Sequence, residues 1–146
     1  LQRRIERLTL SLEIHPRPLA IQSHSLSQEL TLKTKVTYEE VLSRIPGPVT
    51  DEWPMGEPFA VALAHGTMSV EYYAPVSHDP PTPHEQDEVY FIHRGTGELV
   101  INGERHSFKA GDCLFVAAGV EHCFENFSSD FGTWAVFWGP KGGERP

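Results

Sequence analysis

The chain has 146 residues, a formal net charge of −8 and 39% hydrophobic residues. That length suits one domain with a sizeable core. The acidic balance, with no Lys/Arg block, argues against nucleic acid or an anionic membrane as partners, and no apolar run approaches the roughly 18 residues needed to cross a bilayer.

Residues 1–36 read as an N-terminal arm. Two alternating patches stand out in it, Leu8-Thr9-Leu10-Ser11-Leu12 and Leu30-Thr31-Leu32, as half-buried strands would show; a loose, partly mobile arm is the equal alternative. Behind Leu1-Gln2-Arg3-Arg4-Ile5 there is no apolar segment of signal-peptide length, so export is not expected. Residues 37–146 are expected to form a single domain. Thr37-Tyr38-Glu39-Glu40 has the form of a capping box, in which the Thr hydroxyl and the Glu three residues on satisfy each other's backbone N–H groups. The helix is predicted over 38–45, stopped by Pro46-Gly47-Pro48.

From Phe59 onward the pattern is strands and turns. Phe59 to Ala64 is apolar, His65-Gly66 turns, and Met68 to Tyr73 alternates. Trp53, in the loop before them, reads as an anchor. Pro75 to Pro83 holds four prolines and is a stiff extended connection. Asp87 to His93 is rich in β-branched and aromatic residues. Leu99-Val100-Ile101 and Glu104 to Phe108 flank Asn102-Gly103, a type I′ hairpin signal. Cys113 to Val116, His122 to Phe127 and Phe131 to Trp138 follow, separated by further turns. Seven or eight strands at roughly ten-residue spacing, with no helices between, predict an antiparallel sandwich or barrel.

Two clusters carry the chemistry, Pro83-His84-Glu85-Gln86-Asp87-Glu88 and Val120-Glu121-His122-Cys123. The even separation of His84 and Glu88 puts both on one face of an extended segment, followed by Tyr90 and Ile92; His93 has the opposite parity and points out. An inward Glu88 is costly without a cation or a hydrogen-bonding partner. Two imidazoles and a carboxylate suit a divalent transition metal such as Fe, Mn, Zn or Ni. Cys113 and Cys123 are too few for a disulfide framework. They read as small buried thiols in a reducing, cytoplasmic setting. Glu85, Asp87, Glu121 and Glu125 read as solvated charges, and Phe115, Phe124 and Trp134 as barrel lining.

Their spacing resembles the two motifs of the cupins, G-x5-H-x-H-x3,4-E-x6-G and G-x5-P-x-G-x2-H-x3-N. The second runs through Gly111, Ala117 (where the family has Pro), Gly119, His122 and Asn126. The first runs through Thr82, His84, Glu88 and Gly95, with Thr82 in place of the first His and Val76 in place of the first Gly. The resemblance covers residues 59–138. It implies an all-β double-stranded β-helix, or jelly-roll barrel, with one metal bound by His84, Glu88 and His122. Three arrangements stay open at the Thr82 vacancy: three protein ligands with positions free for substrate, His78 folding in as a fourth, or a site without metal. Tyr90 is the best candidate for a proton donor or supporting hydrogen bond. The implied function is a small-molecule enzyme, dioxygenase-like in the first instance. An isomerase or epimerase, or a non-catalytic metal or small-ligand binding module, is the alternative. A homodimer through the N-terminal patches is expected.

Overall fold

The computed structural model describes residues 33–145; the two N-terminal patches lie outside them. No helix among the described residues is long and apolar enough to cross a membrane. The single helix among the described residues, α1 (Tyr38–Leu42), carries the predicted capping box. The Thr37 N–H donates to Glu40 Oε2 at 2.7 Å and the Glu40 N–H to Thr37 Oγ1 at 3.2 Å. The helix is shorter than the predicted 38–45. Arg44 and Ile45 bond back three residues, to the carbonyls of Val41 and Leu42, because the residue before Pro46 is pushed out of the α region. The final turn therefore tightens rather than continuing.

Eight strands follow: β1 (Phe59–His65), β2 (Met68–Tyr73), β3 (Asp87–Arg94), β4 (Thr96–Ile101), β5 (Glu104–Lys109), β6 (Cys113–Val116), β7 (His122–Glu125) and β8 (Gly132–Trp138). They form a five-stranded sheet, β1-β2-β8-β3-β6, and a three-stranded sheet, β5-β4-β7. All pairings are antiparallel, giving the jelly-roll double-stranded β-helix. The β4–β5 hairpin turns on Asn102 (φ 49°) and Gly103 (φ 84°), the two positive values a type I′ turn requires.

The core lies between the sheets. Tyr90 and Ile92 of β3, Leu99 of β4, Phe108 of β5, Val116 of β6, Phe124 of β7, Phe131 and Ala135 form one buried cluster. Ring centroids of Phe124 and Phe131 are 4.8 Å apart, and those of Phe108 and Phe131 5.0 Å. Each buried phenyl contributes roughly 1.5–3 kcal/mol, and together they plug one end of the barrel. The other end stays open and holds the site.

The outer face of the larger sheet is apolar as well. Cys113, Phe91, Trp134, Tyr72 and Ala60 lie in register along one row, and Phe115, Val89, Val136, Val70 and Leu63 along the next. Phe115 and Trp134 thus do not line the barrel as expected. Phe115 pairs with Val89, which has opposite parity to Glu88, and it is 56% exposed; Trp134 packs edge-on against Tyr72. Cys113 shares that parity and is exposed, whereas Cys123 is buried. His93 points outward as predicted, but it is engaged there. Its Nδ1 is hydrogen-bonded to the Tyr72 hydroxyl at 3.0 Å, and its ring stands against Tyr38 of α1. Helix and sheet are joined through this group.

Tyr72 is fully buried, and a Cβ added at Gly132 would lie 2.2 Å from its hydroxyl. With no space to yield, Gly132→Ala must displace Tyr72 from His93 and Tyr38. The expected cost is about 2 kcal/mol, a fall in Tm of roughly 6 °C, to be read by thermal unfolding. An unchanged Tm would contradict the close packing described.

Candidate metal centre

β3 and β7 belong to different sheets, so something must hold their functional ends together. Three hydrogen bonds do so. The Gly119 N–H donates to the His84 carbonyl at 2.7 Å, and the Thr82 N–H to the His122 carbonyl at 3.2 Å. The Ala118 N–H donates to Asp87 Oδ1 at 3.0 Å. Asp87 is therefore not a solvated charge. It is buried, also accepts from the Glu144 N–H at 2.7 Å, and these two donors hold its pKa below the ordinary carboxylate range.

The open edge of β7 is closed by the proline-rich connection. Thr82 forms a bridge with His122, and Asp79 Oδ2 accepts the Phe124 N–H at 2.5 Å. Thr82 thus serves the site through its backbone, while its side-chain hydroxyl faces the Pro80 carbonyl at 3.5 Å. His78 is exposed and lines a separate cleft with Ser77, Pro81 and Asn126. It is not among the side chains gathered at the centre.

Those gathered are His84, Glu88 and His122, whose ligating atoms lie within 4.8 Å of one another. Glu88 Oε2 is 3.4 Å from His84 Nε2 and 3.3 Å from His122 Nε2. The Glu88 side chain is only 2% exposed, and its Oε2 is buried without a hydrogen-bond partner. His122 Nδ1 lies 2.9 Å from the Val120 carbonyl, which can only accept. The ring proton is therefore on Nδ1, and the neutral ring presents its Nε2 lone pair toward Glu88. His84 is held edge-on against Phe137, with ring centroids 5.0 Å apart. A buried carboxylate oxygen lacking a donor and two imidazole nitrogens aimed at it are the donor set of a divalent transition metal. The residues present fit one such ion.

Tyr90, one turn of the pleat beyond Glu88, places its hydroxyl 2.9 Å from His122 Nε2. Burial, then the Glu88 charge, pushes its pKa well above that of an ordinary phenol, so it stays an O–H donor. The two imidazoles titrate apart. Burial lowers the pKa of His84 against the attraction of Glu88. Burial also acts to lower His122, but the neighbouring Glu88 carboxylate and the Val120 carbonyl outweigh this and raise it.

The centre opens into a cavity of about 590 Å³. Its walls include residues that the sequence did not single out: Glu71 and Tyr73 of β2, and Asp79. The Tyr73 hydroxyl donates to Asp79 Oδ1. Burial raises the pKa of Asp79, and burial followed by the Glu88 charge raises that of Glu71. Strand parity alone signals Glu71, which shares a face with Tyr73. Choosing that face over the other requires the β2–β8–β3 register, which joins strands far apart in the chain. Trp53, read as an anchor, stands at the cavity mouth with its ring edge-on to Phe59.

The sequence profile described as the cupin domain matches residues 69–137. An uncharacterized protein of Streptomyces coelicolor is 36% identical over 81 residues, which is 54% of this chain and 77% of that relative. Among solved structures, KdgF from a Halomonas species superposes with a TM-score of 0.51 at 15% identity, over 57% of this chain and 78% of that one. A Ralstonia eutropha JMP134 protein, named provisionally as a mannose-6-phosphate isomerase, does so with a TM-score of 0.50 at 22% identity, over 56% and 83%. At such identities the structural likeness is one of fold. Profile and barrel agree, and the chain belongs to the cupin superfamily.

Proposed function

We propose that this cupin is a metal-dependent enzyme acting on a small organic molecule, with one divalent transition metal held by His84, Glu88 and His122. The observation that carries the reading is Glu88 Oε2, buried and without a donor between two imidazole nitrogens. A neutral occupant would leave that oxygen's negative charge uncompensated. When bound, the metal supplies a Lewis-acid or redox centre.

The chain's own residues do the rest. His122 is fixed in one tautomer by Val120, and Phe137 restrains the His84 ring. The lone pair at His122 Nε2 cannot serve both a cation and the Tyr90 hydroxyl. A cation held by His84, Glu88 and His122 would take that lone pair and leave the Tyr90 hydroxyl, still protonated, free to donate to a substrate oxygen. Tyr90 is thus the proposed proton donor. Phe59, Tyr73 and Phe137 exclude water from the walls. Two His and one carboxylate, with no fourth ligand from Thr82 or His78, resemble the facial set of non-haem iron oxygenases. A dioxygenase-like oxidoreductase is the favoured reaction type.

The test begins with elemental analysis of protein purified without added metal, followed by metal titration and oxygen-uptake assays with small diols and thiols. One transition metal per chain is expected. His84→Ala and Glu88→Gln should weaken metal affinity on the order of 100-fold or more while circular dichroism stays unchanged. Wild-type affinity in His84→Ala would refute the ligand assignment.

Tyr90→Phe should keep metal affinity within about threefold and lower turnover by roughly 10²–10⁴. Unaltered turnover would remove Tyr90 from the chemistry.

Metal affinity should also fall with pH. Protons compete for both imidazoles, and His122, with its raised pKa, takes one up first. The expected loss approaches about tenfold per pH unit below the pKa of His122, which lies above the ordinary imidazole value. It steepens toward a hundredfold per unit once His84, with its lowered pKa, is protonated too. Isothermal titration across that range reads the slope, and a pH-independent affinity would contradict histidine ligation.

A further inference from the structure

The cavity has two chemically different ends. At one stand His84, Glu88 and His122. At the other, on β2, stand Ser69 and Glu71, with Phe59 of β1 and Trp53 beside them. The register sets the distance between the ends. Ser69 pairs with Phe137, which pairs with Glu88; Glu71 pairs with Ala135, which pairs with Tyr90. Glu71 and Tyr90 are therefore two strand spacings apart, about 9–10 Å. Ala135, the residue between them, has only a methyl group to put into the gap, so the space above it is open.

The charge of this cavity is one-sided. Among the described residues its walls carry Glu52, Glu71, Asp79, Glu85 and Glu88, and no Lys or Arg. Three of these acids are accounted for. Glu88 belongs to the metal end. Glu85, at the exposed rim, is paired with Lys141 at 2.6 Å. Asp79 has one oxygen on the Tyr73 hydroxyl and the other on the Phe124 N–H. Glu52 is exposed. Glu71 is half-buried and, among the described residues, forms no ion pair with any Lys, Arg or His. The Ser69 hydroxyl helps it, while Glu88 and Glu57 add like charge. Phe59 pairs with Tyr73, two residues along β2 from Glu71, and in the same cavity lining its ring meets that of Trp53 edge to face, with centroids 6.4 Å apart at 79°. A partly desolvated carboxylate that shares a cavity with aromatic rings is the chemistry that recognises an organic cation.

We infer that the substrate of this site is a cationic amine. Its ammonium group lies against Glu71 and the Trp53–Phe59 rings, while its oxygen donors reach the His84–Glu88–His122 end. The inference deepens the proposed function and rests on it for the metal end alone. Phosphorylated or carboxylate-bearing groups at the Glu71 end are disfavoured, because among the described residues no Lys or Arg lines the cavity and Glu71 itself repels them.

The experiment titrates the full chain, with and without bound metal, with n-butylammonium, n-butanol and butyrate. Affinity is read from the Trp53 indole N–H shift in NMR spectra, and metal content is measured separately. The expected result is that n-butylammonium binds at least tenfold more tightly than n-butanol, and butyrate does not bind. Glu71→Gln should remove that preference with metal affinity unchanged, and Trp53→Leu, read by isothermal titration instead, should weaken n-butylammonium alone. Butyrate binding as well as n-butylammonium, or an unchanged preference in Glu71→Gln, would overturn the inference. The two readings fail separately. Metal bound without amine preference removes this inference and leaves the metal centre. Amine preference without metal affinity supports the cation end and removes the metal-dependent chemistry.

Discussion

The arrangement of this protein depends on a single oxygen. Glu88 Oε2 sits inside the barrel with no hydrogen-bond donor, 3.3 and 3.4 Å from two imidazole nitrogens. Desolvating a carboxylate costs several kcal/mol unless a compensating charge meets it. With both rings neutral, the surroundings offer not that charge but two more ligands. Val120 turns the His122 lone pair inward, Phe137 restrains His84, and Tyr90 adds a hydroxyl that stays protonated. The result is a site organised around a cation rather than around a neutral network.

Holding such a site together is a problem of two sheets. Glu88 lies in the larger sheet and His122 in the smaller, and the phenyl core that joins them is at the far end of the barrel. At the site end the joining is done by polar backbone groups: Gly119 to His84, Thr82 to His122, and Ala118 to Asp87. Asp79 and Thr82 also close the free edge of β7, which would otherwise expose unpaired donors. The position where the family carries another histidine is thus used here for a backbone bridge. The same connection that omits a ligand fixes the one opposite it.

Much of this was legible from residue order. Alternation and turn residues located all eight strands, the Asn102-Gly103 hairpin and the capped helix, because those signals are local. The even spacing of His84 and Glu88 put them on one face without knowledge of any partner strand. What depends on pairing across the sheet was not legible. Phe115 and Trp134 look like core residues, yet register turns them to the outer face of the larger sheet. Asp87 looks solvated, yet the turn before β7 and the C-terminal segment fold over it. Glu71 is an unremarkable acid in an alternating strand, and only the β2–β8–β3 register aims it into the cavity.

The central claim is that Glu88 Oε2 faces a metal ion. Anomalous diffraction from crystals of the protein, collected above and below the absorption edge of the metal found in it, tests this directly. The account predicts one anomalous peak about 2.0–2.2 Å from His84 Nε2, Glu88 Oε2 and His122 Nε2. A metal-free crystal with an ordered water hydrogen-bonded to Glu88 Oε2, unchanged after soaking in divalent transition metals, would contradict it.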